Sequence, residues 1–400
     1  MKVLWLAGNP GLYTSDNAYN GGGWIASLQL EVLKYKCKVQ LEVAFPWHSN
    51  FEEEYNGIKY YGIKKMLHSF LNYKTKQNNE YNRIKEIIEL SKPDLIHVFG
   101  TELSYGMVCQ MTNIPVIIHI QGILSSIKEF WLPANFSWKE YILTNPRGFT
   151  TYINLKRAIT REKMMLKKCK YLMGRTEWDQ TTASVLSPNS KYYICNEMLR
   201  PIIYNSTKIW THQIREKKII VSIISSTTYK GSDIILKTSR ILKNHLYNNF
   251  EWHVYGINNL NFAKKITGID PKNVNVKACG IITAEQLIST VINSDVFVHP
   301  SYIENSPNTI CEAQLLGIPI IATNVGGVSS IITNNSDGIL VPSHDIYMIA
   351  GKLLFLFNNH EEAIKLGENA RQTALSRHSP KKIVTELLNI YNQMLLENSN

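Results

Sequence analysis

The sequence predicts an α/β chain made of two doubly wound, parallel-sheet domains of Rossmann-like type. Three observations carry this expectation. Short β-branched runs alternate with longer amphipathic stretches along nearly the whole chain. That is the rhythm of open parallel sheets, whose strands are covered on both faces and read as continuous apolar runs. The rhythm lapses once, between Asn196 and Lys217, around Pro201, Asn205 and Ser206. Finally, 400 residues exceed what a single core usually organises.

In chain order, the first set of strands is expected at Val3–Ala7, Val39–Phe45, Leu95–Val98, Val116–Ile120, Tyr171–Met173 and Tyr192–Ile194. A second set follows at Ile219–Ile224, Trp252–Tyr255, Val274–Ala278, Val296–His299, Ile318–Ala322 and Ile339–Val341. Helical periodicity marks Ile25–Leu33, Ile84–Leu90, Ile234–Leu246 and Leu353–Leu366. The expected division is therefore 1–200 for the first domain and 201–380 for the second. A closing amphipathic segment, 381–400, either completes the second domain or crosses back to the first. Two such domains in tandem would place a ligand cleft between them, facing the carboxyl ends of both sheets.

Composition narrows the function classes. Lys and Arg number 43 against 32 Asp and Glu, a net charge of +11, which favours polyanionic or phosphate-bearing partners. The six cysteines (Cys37, Cys109, Cys169, Cys195, Cys279, Cys311) form no C-x-x-C pair and no zinc spacing. They are expected to be reduced core residues of a cytoplasmic protein. No secretory signal and no run of 18 apolar residues is present, so no membrane span is expected.

Chemistry concentrates between Asp295 and Gly327, DVFVHPSYIENSPNTICEAQLLGIPIIATNVGG. A buried strand ends at His299-Pro300 and a loop carries Glu304. Ser306 is expected as N-cap with Pro307 at the first helical position. The helix is expected to stop at Gly317, with Pro319 beyond. Free N–H groups near Asn308 and Thr309, at the carboxyl end of a parallel strand, make an anion site. Glu304 and Glu312, eight positions apart, flank it. Carboxylates there disfavour a phosphate unless they accept hydrogen bonds from hydroxyls, as sugar and ribose diols provide. A lone glutamate on a helix usually only decorates a surface; the surrounding pattern is what gives this pair weight.

That pattern resembles the E-x7-E signature of the retaining, nucleotide-sugar-dependent glycosyltransferases of family 4 (group 1), which have the GT-B fold. Pro300-Ser301, Glu304, Ser306–Asn308, Glu312-Ala313, Gly317, Pro319 and Gly326-Gly327 fall in the family's order. The resemblance implies that Glu304 faces the donor sugar and Glu312 holds the nucleotide ribose. It also implies an Arg and a Lys, five residues apart, on the donor diphosphate. Lys230 is present, but Ser225 stands at the Arg position, so diphosphate affinity is reduced or another cation substitutes. Gly22 and Gly23, within Asn20–Trp24, resemble the glycine-rich loop over the donor phosphates. Gln121 occupies the place where many relatives carry an active-site His, and His119 reads as a satisfied interior histidine. Arg175 is a candidate phosphate or acceptor contact, with a surface ion pair as an equal alternative. Ile281, before a helix capped by Thr283 and Gln286, lies where the family seats the base.

The expectation is an enzyme moving a sugar from a nucleoside-diphosphate sugar to a saccharide or lipid-linked saccharide acceptor, in polysaccharide assembly. No cofactor and no metal is expected, since no D-x-D motif occurs. A sugar-nucleotide epimerase of the same fold remains an alternative; a paired-carboxylate glycosidase is disfavoured because its two acids must flank one glycosidic bond. A non-enzymatic polyanion-binding protein would use the +11 charge, but no nucleic-acid motif accompanies it. Lys156, Arg157, Arg161, Lys163, Lys167, Lys168 and Lys170 alternate with Leu155, Ile159, Met164, Met165 and Leu166. This resembles a basic amphipathic face for an anionic membrane surface, peripheral at the inner leaflet; the alternative is a solvated helix on an ordinary core.

Overall fold

Alternation along the first strand divides its side chains between two cores. Val3 and Trp5 join one apolar cluster, and Leu4 and Leu6 join another on the opposite face, as period-two geometry requires. The computed structural model describes residues 1–13, 23–35, 38–65, 73–246 and 249–399. The chain divides into two units. The first comprises Met1–Ser126, Phe149–Met198 and His378–Asn400; the second comprises Ile127–Gly148 and Leu199–Arg377.

In the first unit the strands are β1 (Lys2–Leu6), β2 (Gln40–Trp47), β3 (Phe51–Tyr55), β4 (Ile58–Lys64), β5 (Leu95–Phe99), β6 (Val116–His119), β7 (Tyr171–Gly174) and β8 (Lys191–Ile194). They form one sheet in the order β3-β4-β2-β1-β5-β6-β7-β8. All neighbours are parallel except β3 and β4. That hairpin is absent from the expected strands. It turns at Asn56-Gly57, whose φ values of 53° and 74° are those of the two-residue turn that Asn-Gly favours.

The second unit contains β9 (Lys218–Ile223), β10 (Phe250–Tyr255), β11 (Val276–Gly280), β12 (Val296–His299), β13 (Ile320–Thr323) and β14 (Ile339–Val341). Their order is β11-β10-β9-β12-β13-β14, all parallel. Strand order reverses between β1 and β5 in one sheet and between β9 and β12 in the other. Loops leaving the carboxyl ends of two such strands diverge, and the crevice between them is where open α/β sheets bind ligands.

One segment departs from the expected domain division. Ile127–Gly148 belongs to the second unit, because its aromatic side chains pack there. Trp131 lies 5.4 Å from Tyr229, and Phe136 and Tyr141 lie 6.1 and 5.9 Å from Phe262. Lys265 Nζ also donates to the Thr144 carbonyl at 2.9 Å. Of its two expected placements, the terminal helix Pro380–Ser399 takes the one that crosses back to the first unit, where Ile383, Leu387, Tyr391 and Met394 are buried in the cluster containing Trp5. Tyr391 Oη accepts from Trp5 Nε1 at 3.1 Å and lies 2.5 Å from His97 Nδ1. The periodic stretch Leu353–Leu366 is not one helix. Asn359, at φ −126° and ψ 77°, separates Ile346–Asn358 from His360–Arg377.

No described helix is long and apolar enough to cross a membrane. Described cysteines are free thiols; Cys37 lies outside the described residues. The basic segment forms the helix Gly148–Lys168, and Leu155, Met165 and Leu166 are buried. Much of its apolar side is thus taken up by the core, while Met164 remains exposed beside the outward lysines.

Candidate functional site

The carboxyl ends of β9 and β12 lie side by side, Val221 opposite Phe297. The loop after β9 runs through a single 3-10 turn, Thr228–Lys230, and the loop after β12 carries Pro300–Pro307. The two loops touch at Gly231. With φ 75° it adopts a left-handed conformation, and a Cβ there would collide with the Pro300 carbonyl. The Tyr302 N–H donates to the Tyr229 carbonyl at 2.7 Å, which ties the loops together on the other side. A third loop closes from β13: Gly327 N–H donates to the Glu304 carbonyl at 3.0 Å. Gly326 approaches that same carbonyl so closely, at φ 52°, that a side chain has no room.

This backbone holds Glu304 among donors. Its Oε1 accepts from Lys230 Nζ at 2.6 Å, Ser301 Oγ at 2.7 Å and His299 Nε2 at 2.9 Å. The last contact assigns the ring proton to Nε2, and His299 Nδ1 is buried without a hydrogen bond. Glu304 is 8% exposed. Burial works against its ionisation, but the Lys230 charge and the His299 hydrogen bond outweigh it and hold the carboxyl down to about 2. Lys230 shows the converse balance: burial opposes its charge, and Glu304 raises its pKa above the ordinary lysine value. The pair is ionised throughout the neutral range.

The helix following Glu304 spans Asn308–Leu316 and ends at Gly317, φ 78°. Its N-cap is Pro307, not Ser306: Pro307 has ψ 112°, so helical dihedrals begin one residue later than expected. Ser306 is buried in the loop. Asn308 and Thr309 occupy the first turn, where N–H groups have no partner within a helix, and Asn308 Oδ1 is buried without a hydrogen bond. On the second turn Glu312 is 4% exposed. Both its oxygens accept from Arg200, at 2.7 Å each.

The structure thus brings Lys230, Glu304, the Asn308–Thr309 turn and Glu312 into one region of the second unit. The other expected donor contacts are more scattered. Ser225 is exposed and pairs with Thr227 Oγ1 at 2.8 Å. Ile281 is 59% exposed, just before the helix Ala284–Ile292, whose Thr283 and Gln286 form a capping box. Gly22 lies outside the described residues, while Gly23 opens the helix Gly23–Val32.

In the first unit, His119 ends β6 and Gln121 follows it, partly exposed. His119 is 1% exposed but is not satisfied: both ring nitrogens are buried without hydrogen bonds. Burial, then the charge of Arg175, lowers its pKa well below the usual histidine value. Its neighbours are aromatic, Trp24 at 5.2 Å and His97 at 5.4 Å. Arg175 is not a surface ion pair. It is 4% exposed, with its guanidinium 4.2 Å from the centre of the Trp24 ring. Its backbone N–H donates to Asp179 Oδ2 at 3.0 Å, within the capping box of Thr176 and Asp179.

Three polar residues at the donor region were not singled out from the sequence. Ser301 belongs to the quoted pattern and His299 stands beside it, but neither was given a role, although a His-Pro-Ser at the end of a buried strand was the available signal. Arg200 lies 112 positions from Glu312 in an aperiodic stretch, and no local feature announces it.

Residues 206–373 match the family described as glycosyl transferases group 1. The matched stretch lies within the second unit. The chain is 36% identical over 110 residues to the capsular polysaccharide biosynthesis glycosyltransferase CapM of Staphylococcus aureus. The match covers 28% of this chain and 29% of CapM, so it spans less than a third of that relative's length. Solved structures agree in fold across the whole chain. Sucrose-phosphate synthase from Thermosynechococcus elongatus superposes with a TM-score of 0.78 at 12% identity, covering 99% of each chain. HepE from Anabaena, solved in complex with UDP and glucose, gives 0.67 at 13% identity, covering 98% of this chain and 99% of that one. The fold is GT-B.

Proposed function

We propose that the chain transfers a sugar, with retention of anomeric configuration, from a nucleoside-diphosphate sugar to a saccharide or lipid-linked saccharide acceptor. The observation that carries this reading is the partly buried Lys230–Glu304 pair at the β9/β12 reversal, beside the N-terminus of the Asn308–Leu316 helix. A cation and a helix N-terminus suit the diphosphate; a carboxylate held ionised by three donors suits sugar hydroxyls. HepE, of the same fold, was solved with UDP and glucose, and CapM is named for capsular polysaccharide biosynthesis.

The acceptor oxygen forms a bond to the anomeric carbon as the bond from that carbon to the diphosphate oxygen breaks. The electron pair leaves with the diphosphate, and the acceptor proton passes to a phosphate oxygen of the leaving group. Charge developing there is met by Lys230 and by the N–H groups of the first helical turn. On donor binding the Lys230 ammonium is drawn towards the diphosphate, while His299 and Ser301 keep Glu304 in place for the sugar. Gln121, which cannot act as a base, His119 and Arg175 are retained as acceptor-side candidates of the first unit. The reaction as written needs no metal.

A thermal-shift panel of UDP, GDP, ADP, CMP and their sugar conjugates, with and without Mg²⁺, tests this. A selective, metal-independent shift with one nucleotide is expected; a ligand at 100 times its Kd stabilises by about 2.7 kcal/mol. No shift with any of them would overturn the donor assignment. The exposed lysines of the Gly148–Lys168 helix favour attraction to anionic lipid at low salt, and equal binding to neutral and anionic vesicles would remove that part of the reading.

A further inference from the structure

The segment Ile127–Gly148 does more than pack on the second unit. Together with His344, in the loop that leaves β14, it borders a pocket of about 560 Å³, a volume usual for small-molecule sites. None of the residues placed at the donor region lines it. Phe130, Phe136 and Trp138 do, and Phe130 is 45% exposed, so its ring is open to a ligand. The charges of the lining cancel. Lys128 Nζ pairs with Glu129 Oε1 at 3.0 Å, and burial holds His344 below the usual histidine value, which leaves it neutral near neutrality. No other lining residue is charged.

Two lining residues other than glycine have left-handed backbone, Asn135 at φ 62° and His344 at φ 66°. Asn135 obtains it from a turn closed by the Phe136 N–H on the Pro133 carbonyl at 3.1 Å, a position that suits Asn or Gly. For His344 the conformation is strained. It is held by a ring stacked on Tyr302 at 4.2 Å and 18°, with Nδ1 2.9 Å from Ser343 Oγ. Strain kept at the wall of a pocket is a mark of ligand-binding regions.

We infer that this pocket binds a neutral saccharide and seats part of the acceptor chain on the second unit. A pyranose has apolar C–H faces that stack on aromatic rings, and a rim of hydroxyls that donate and accept hydrogen bonds. A lining of open rings, an amide and no net charge meets both. A phosphate or carboxylate would find no uncompensated cation there. A hydrocarbon chain would desolvate the Lys128–Glu129 pair and the Asn135 amide without return. The pocket is also tied to the donor loops. Thr228 Oγ1 donates to the Trp131 carbonyl, and the Trp131 ring lies 5.4 Å from Tyr229, the neighbour of Lys230. On the opposite wall Tyr302, which carries the His344 ring, precedes Glu304 by two residues.

The acceptor role rests on the transfer reading proposed above; saccharide binding itself does not, and the test separates them. Saturation-transfer NMR is run on the whole protein with maltose, lactose, cellobiose and diacetylchitobiose, and with glucuronate as the charged control. The variants are Phe130→Ala and Asn135→Gly. Both residues are exposed, and glycine adopts the turn freely while removing the amide, so the fold is kept. At least one neutral disaccharide is expected to bind and glucuronate is not. Each variant should weaken that disaccharide by at least about tenfold and leave the thermal shift with nucleotide unchanged. No signal from any of the four disaccharides, equal binding of glucuronate, or unchanged affinity in either variant would overturn the pocket and leave the donor reading standing. Disaccharide binding as expected, with no nucleotide shift in wild type, would overturn the donor reading and its acceptor role while the saccharide pocket stands.

Discussion

Glu304 is a carboxylate whose surroundings pull in opposite directions, and the outcome sets how it can be tested. Burial favours the protonated form; Lys230, His299 and Ser301 favour the ionised one and prevail, leaving the group near 2. A carboxyl lowered on folding adds stability that is complete above its unfolded value of 4.5 and is lost as pH falls towards 2. The amount is on the order of 3 kcal/mol. Any pH dependence of transfer near neutrality therefore belongs to another group. Glu304→Gln and Lys230→Ala are each expected to lower transfer by at least about tenfold while circular dichroism still shows a folded protein. Full activity in folded Glu304→Gln would exclude its role at the donor sugar.

At the scale of elements, the donor region depends on three loops meeting at two glycines. Gly231→Ala forces a side chain into the Pro300 carbonyl at a left-handed φ. It is expected to cost about 1–3 kcal/mol, lower the melting temperature and abolish any nucleotide-induced shift. Unchanged nucleotide binding in that variant would mean that the contact between the β9 and β12 loops is dispensable. The same elements show what was legible in the sequence. Strands β9 and β12 and the helix after Glu304 announce themselves through continuous apolar runs, a Pro near the helix start and a Gly at its end. The β3–β4 hairpin carried a readable Asn56-Gly57 turn, but β3 is an edge strand of mostly exposed residues, Phe51–Tyr55, with no apolar face to betray it. The placement of Ile127–Gly148 was not legible, because Trp131 finds Tyr229 about a hundred positions away. Nor was Arg200, whose bond to Glu312 spans 112 positions; spacing reports neighbours along an element, not partners across a core.

The molecule as a whole contains a latent sensitivity to acid. His97 and His119 sit in the core of the first unit; burial lowers His97 to about 3 and drives His119 well below 6.5. A histidine buried neutral takes up no proton when folded, whereas its unfolded form does so below 6.5. Stability therefore begins to fall as pH drops through 6.5 and keeps falling towards 3, at about 1.4 kcal/mol per pH unit for each ring. Destabilisation should set in before any ordinary carboxylate titrates. His119 makes no ring hydrogen bond and lies among aromatic rings, so His119→Phe sacrifices none. That variant is expected to gain about 2 kcal/mol over wild type at pH 5 and much less at pH 8, as read by denaturant melts. An equal gain at both pH values would mean that packing, not protonation, is responsible.

The membership of the terminal helix has a consequence for how the protein is made. Ile383, Leu387, Tyr391 and Met394 cover the face of the first sheet that carries Trp5, yet they are translated after all of Leu199–Arg377. A ribosome adding about 5–20 residues per second needs roughly 10–40 s to pass that stretch of about 180 residues. Throughout that interval the nascent first unit presents an uncovered apolar surface. The unit begun first is completed last, and its yield in the cell should depend on chaperones that shield that surface until the final helix emerges.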